Sequence, residues 1–198
     1  MWAVVSTDQI ENLERSRAFV SILLNDTWEG DFTNVLARQY ENLNQRLGEH
    51  WHLVIPTKME SYELNNALNE KPEQFPVFAK DYDDAFALEL AKGYGLEPSD
   101  FPCIVFDNFS SEKSQIVVSL KGFSSNDMRA FFDCFVANLS GYNFAANDAE
   151  QRNKDILHFL RLYNTGRYGR KIKVIMTDPM TIAKMLPQII AKISFGIF

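Results

Sequence analysis

Cysteine is scarce in this chain of 198 residues: Cys103 and Cys134 are the only two. Two thiols so far apart exclude a disulfide framework and are too few for a zinc knuckle. No run of about 18 apolar residues occurs, so no membrane-spanning helix is expected. The segment from Thr181 to Phe198 comes nearest, and Lys184, Pro187, Gln188 and Lys192 interrupt it. The start has neither a basic region nor a long apolar run before Asp8, so no secretory signal is expected and the expected location is cytoplasmic. Glycine and proline are scattered, without repeats or low-complexity tracts. No Gly-rich phosphate loop, nucleophile elbow or His-Glu metalloprotease motif is present. Gly93-Tyr94-Gly95 reads as a helix stop. His50 and His52, near Glu49, lack a third and fourth ligand and His158 is remote, so neither a metal nor a cofactor is expected.

What is present is an uneven distribution of charge. The net charge is −6, which taken whole argues against a nucleic-acid binder. Residues 1–150 hold 11 Lys/Arg against 24 Asp/Glu, a net of −13, and residues 151–198 hold 9 against 2, a net of +7. An acidic unit therefore carries a basic appendage.

Hydrophobic periodicity orders the chain. Thr7 to about Ser16 reads as a capped short helix, and Phe19–Leu24, near-continuously apolar, as a strand buried on both faces. Leu36, Tyr40, Leu43 and Leu47 fall at helical spacing over residues 32–47, with Gly48 as the stop. Trp51 to Ile55 is a second apolar run, closed by Pro56. Residues 58–73, acidic and Asn-rich, read as a surface insertion, and Pro76 to Ala79 as a strand. Asp83 to Tyr94 is expected to be helical with Phe86 and Leu90 inward, and Ala87 and Tyr94 as further inward candidates. Phe101–Phe106 and Gln115–Leu120 predict an antiparallel hairpin, followed by a helix capped at Ser124-Ser125 and ended by Gly141. Beyond it, Asn147 with Glu150 suggests a capping box before a helix whose stripe is Ile156, Phe159, Leu160 and Tyr163. Residues 165–171 form a basic turn, Lys173 to Thr177 a short strand, and Asp178-Pro179 opens a last apolar helix.

This order, together with Lys92-Gly93-Tyr94-Gly95-Leu96, Phe101-Pro102-Cys103-Ile104-Val105-Phe106 and Leu120-Lys121-Gly122-Phe123, resembles the thioredoxin fold. The resemblance covers roughly residues 5–140. It implies an α/β, three-layer fold: a central mixed sheet with helices on both faces, an insertion near 56–75, and a C-terminal mainly helical extension. The domains expected are 1–142, thioredoxin-like, and 143–198, the basic extension. By the same analogy Pro102 is the family's cis-proline. In register with the family's redox motif Trp-Cys-Gly-Pro-Cys stands Trp28-Glu29-Gly30-Asp31-Phe32. Neither Glu29 nor Phe32 can perform thiol exchange, and the family's buried acid falls at about Leu23, so the resemblance implies a redox-inactive member.

The site residues follow from that analogy. Trp28, Glu29, Asp31, Phe101, Pro102 and Cys103 form the candidate binding surface, with Glu29 and Asp31 either capping a helix or forming an acidic recognition tip. In this family the backbone beside the cis-proline pairs with an extended peptide, a role that falls to Phe101, with Trp28 as an aromatic anchor. The expected function is a non-catalytic binding or adaptor protein with a protein or peptide partner. Two alternatives stand beside it. Cys103 is either a packed strand residue or the single nucleophile of a peroxidase-like, thiol-dependent oxidoreductase. Arg161, Arg167, Arg170, Lys171 and Lys173 form a basic patch that either docks on the acidic unit or meets nucleic acid or an acidic partner. The apolar C-terminal helix is compatible with a homodimer.

Overall fold

The computed structural model describes residues 2–4, 6–13, 18–27, 50–58, 82–107, 115–139, 142–144, 147–165 and 173–176. The helix expected over 32–47, the strand over 76–79, most of the insertion, the basic turn and the last apolar helix lie outside them.

The described residues form a mixed α/β arrangement. In chain order the elements are β1 (Trp2–Val4), α1 (Thr7–Glu11), β2 (Phe19–Leu24), β3 (Trp51–Pro56), α2 (Asp84–Gly93), β4 (Cys103–Phe106), β5 (Ile116–Ser119), α3 (Ser125–Leu139), α4 (Ala149–Thr165) and β6 (Lys173–Met176). The sheet order is β1-β3-β2-β4-β5-β6. β1 and β2 both run parallel to β3, whereas β4, β5 and β6 are each antiparallel to the strand before them. The parallel strands β1, β3 and β2 thus end at the edge of the sheet where β4 begins.

All six residues of β2 are buried, as a strand flanked on both sides requires. Trp51 of β3 is the centre of an aromatic core, in ring contact with Phe106 of β4 and with Phe131, Phe132 and Phe135 of α3. Its indole N–H donates to the buried Ser21 Oγ at 2.7 Å, so the largest core side chain leaves no polar atom unsatisfied.

The helices begin where short polar side chains take up free N–H groups. The Asp83 carboxylate accepts from the Phe86 N–H at 2.9 Å and starts α2, whose Phe86, Ala87, Leu90 and Ala91 are buried. Ser124 and Asp127 cap α3 reciprocally: the Ser124 N–H donates to the Asp127 carboxylate at 2.8 Å, and the Asp127 N–H to the Ser124 hydroxyl at 3.3 Å. At α4 the expectation needs correction. Helical residues begin at Ala149, so the capping position is Asp148, whose carboxylate accepts from the Gln151 N–H at 2.8 Å. Asn147 lies one residue too early to cap.

The stripe of α4 is buried as its spacing predicts, at Ile156, Phe159, Leu160 and Tyr163. Phe159 meets Phe19 of β2, Phe135 of α3 and Tyr142. β6 joins the same sheet along β5. The segment after residue 142 is therefore attached to the rest by apolar side chains and a strand ladder, not by opposite charge alone.

Candidate functional site

The register of the sheet builds the candidate site. Leu24, the last residue of β2, lies opposite Cys103, the first of β4. The chain leaving β2 and the chain entering β4 are thereby neighbours.

On the β2 side, Asn25 fixes the exit. Its N–H donates to the Tyr82 hydroxyl at 2.9 Å, and that hydroxyl donates back to the Asn25 carbonyl at the same distance. The Asn25 side chain accepts from the Asp26 N–H at 3.0 Å and donates to the Thr27 carbonyl. Tyr82 is itself positioned by a bridge to Thr57 and by the Asp83 N–H, which donates to the Pro56 carbonyl at 3.2 Å. Burial pushes the Tyr82 phenol above its ordinary pKa, so the hydroxyl keeps the proton this double bond needs.

On the β4 side, the Phe101–Pro102 peptide bond is cis. The Phe101 ring is buried, and its N–H donates to the Pro98 carbonyl at 3.2 Å in a short 3₁₀ turn, Pro98–Asp100. Pro102 is half-buried, and its carbonyl accepts from the Leu120 N–H at 2.8 Å, which draws the turn after β5 alongside it. Cys103 is completely buried. That burial pushes its thiol up to about 12, with the Asp100 carboxylate adding in the same direction. A thiol so placed is neutral at physiological pH, which argues against the nucleophile alternative.

The structure thus brings Phe101, Pro102 and Cys103 to the end of β2. Trp28, Glu29 and Asp31 lie outside the described residues, the first of them directly after Thr27. Two of the three described side chains point into the core, so Phe101 and Cys103 offer backbone here, and Pro102 offers side-chain surface. With the Phe101 N–H already engaged, its carbonyl is the group left for pairing with a peptide among the described residues.

The remaining expected residues are dispersed. Arg161 is exposed on α4 and Lys173 opens β6, whereas Arg167, Arg170 and Lys171 lie outside the described residues. His50 is exposed and stacks on Phe144 at 5.5 Å, and His158 is exposed on α4. Cys134 is half-buried on α3 beside the Phe159 carbonyl. Among the described residues no three His, Cys, Asp or Glu side chains come together to hold a metal ion. No described helix is long and apolar enough to cross a membrane.

Sequence reasoning missed Asn25 and Tyr82 as a pair. Fifty-seven residues separate them, and no local pattern marks a tyrosine whose hydroxyl replaces a strand partner. It also missed Lys121 as a neighbour of Pro102, which only the β4–β5 register reveals. Compared with protein-family models, with curated proteins and with solved structures, the chain matches none.

Proposed function

We propose that the protein is a non-catalytic binding or adaptor protein on a thioredoxin-like scaffold, holding an extended segment of a protein partner beside Pro102. The observation that carries this reading is the adjacency of Leu24 and Cys103, which sets the chain leading into Trp28 next to Phe101–Pro102. The described elements support the scaffold: a helix, a strand, a parallel neighbour, a further helix, an antiparallel pair and a closing helix follow the order of the resemblance, whose helix over 32–47 lies outside the described residues. The neutral, buried Cys103 thiol supports a site that binds without exchanging thiols. An extended peptide pairs through main-chain groups, and the Phe101 carbonyl is the acceptor it would meet.

Two measurements test the proposal together. In an insulin-reduction assay with dithiothreitol, the protein and its Cys103→Ser variant both stay at the buffer rate; turnover lost in Cys103→Ser would overturn the reading. Panning an extended-peptide library on the purified chain yields binders that Trp28→Ala weakens. A library without binders would overturn it as well.

A further inference from the structure

β2 runs past the end of its ladder with β3. The parallel register ends at Ile22 and Val54, whereas β2 continues to Leu24 and hands the chain to Asn25. β3 ends at Pro56, and on the other flank the residue before Cys103 is Pro102. Neither proline has an N–H to offer the chain leaving β2. Asn25 is nevertheless buried, so its main-chain N–H and carbonyl need partners from outside the ladders. The Tyr82 hydroxyl is partner to both, accepting from the N–H and donating to the carbonyl, each at 2.9 Å. One phenol does there what the N–H and carbonyl of a strand neighbour would do.

Tyr82 can do so because its own backbone is held on both sides. It bridges Thr57, which is completely buried. The next residue, Asp83, donates its N–H to the Pro56 carbonyl at 3.2 Å, and its carboxylate caps α2. The Tyr82 ring is buried and has only two side-chain torsions to hold. The turn is built onto this fixed point. The Asn25 side chain accepts from the Asp26 N–H at 3.0 Å and donates to the Thr27 carbonyl. Main-chain groups of all three residues from 25 to 27 thus rest on one hydroxyl, directly or through the Asn25 side chain.

We propose that Tyr82 is the positioning residue of the binding edge: its hydroxyl holds the exit of β2 beside Pro102 in the shape an extended partner segment meets, and couples that edge to the exit of β3 and the start of α2. The inference rests on the binding reading above. It gives the buried Tyr82 ring no contact with the partner. Its contribution is pre-organisation: without the hydroxyl the turn has to be ordered at the moment of binding, and that ordering is subtracted from the affinity.

Three variants of the full chain test it, with the tightest peptide from the extended-peptide library as the labelled probe. Tyr82→Phe keeps the ring and removes the hydroxyl. Asn25→Ala removes the side-chain part of the same turn. Ser21→Ala removes a buried hydroxyl from the same strand, the one that accepts from the Trp51 indole, and serves as the control for stability alone. Tyr82→Phe weakens the peptide about tenfold. Its Asn25 amide exchanges with solvent while those of Ile22 and Leu23 stay protected, and added peptide slows the Asn25 amide again. Asn25→Ala weakens the peptide as well, and the double variant loses less than the product of the two, because both act through one turn. Ser21→Ala lowers the Tm and leaves the affinity unchanged. An unchanged affinity in Tyr82→Phe, losses that multiplied in the double variant, or an equal loss in Ser21→Ala would overturn the inference and leave the peptide site standing. If the wild-type chain bound no peptide of the library, the binding reading would fall and the inference with it.

Discussion

Cys103 is placed with Leu24 on one side and Ser119 on the other, in the interior of the sheet. Burial favours its neutral form and pushes the thiol up to about 12, against about 8.5 for a free cysteine. The sign of the consequence follows from linkage. A group whose folded pKa exceeds its unfolded one contributes stability that is complete below the unfolded pKa and is lost as pH rises through the folded one. The wild-type chain therefore loses stability from this residue between about pH 8.5 and 12. Cys103→Ala removes the dependence while costing about 1 kcal/mol in packing at neutral pH. Urea unfolding of the two proteins from pH 8 to 10.5 shows the gap between them closing as pH rises. Tyr142, also raised by burial, is common to the two and cancels, whereas Tyr82, raised mainly by burial and to a smaller extent by Cys103, stays protonated in the folded state of both over this range. A gap that stayed constant would mean that Cys103 is not held neutral. Iodoacetamide at pH 8 leaves Cys103 unmodified in the native protein and labels it after unfolding.

At the scale of the element, legibility followed the length and regularity of the pattern. β2 is legible because six consecutive residues share one fate, and α4 because its apolar positions recur at helical spacing over two turns. β1 is not, since three residues carry no period, and it forms only because Trp2, Ala3 and Val4 find Val54, Ile55 and Pro56 alongside. The cap of α4 falls at Asp148 and not at Asn147 because both residues are good caps, and the helix start decides between them. The candidate site was legible on the β4 side, where Phe101-Pro102-Cys103 forms a local motif. Its other half, the Asn25–Tyr82 pair and the Lys121 turn, depends on pairings between distant segments. The strength of α4 can be measured. Phe159 packs on Phe19 and Phe135, so Phe159→Ala costs about 3–5 kcal/mol in urea unfolding. Tyr163→Phe, which keeps the ring and removes the hydroxyl that donates to the Asp127 carbonyl, costs about 0.5–1.5 kcal/mol. Equal, small losses for both would mean that α4 is held from outside the core.

For the whole molecule, the charge split of −13 and +7 suggests two bodies, while the packing argues for one cooperative unit. Ile156, Leu157, Phe159, Leu160 and Tyr163 belong to the same hydrophobic core as Phe19, Trp51 and Phe131. β6 covers the edge that β5 would otherwise present along Ile116–Ser119. Truncation after residue 142 therefore removes two things: the apolar cover of Phe19 and Phe135, and the partner of a strand made of Ile-Val-Val-Ser. An uncovered aromatic face and an unpaired apolar edge both favour self-association. The full chain unfolds in a single transition that is the same by tryptophan fluorescence and far-ultraviolet circular dichroism. Residues 1–142 alone bind a hydrophobic dye, sediment as aggregates and show no cooperative transition. A truncated chain that remained monomeric with the Tm of the full protein would show instead that the basic segment is an appendage carried by an independently folded acidic domain.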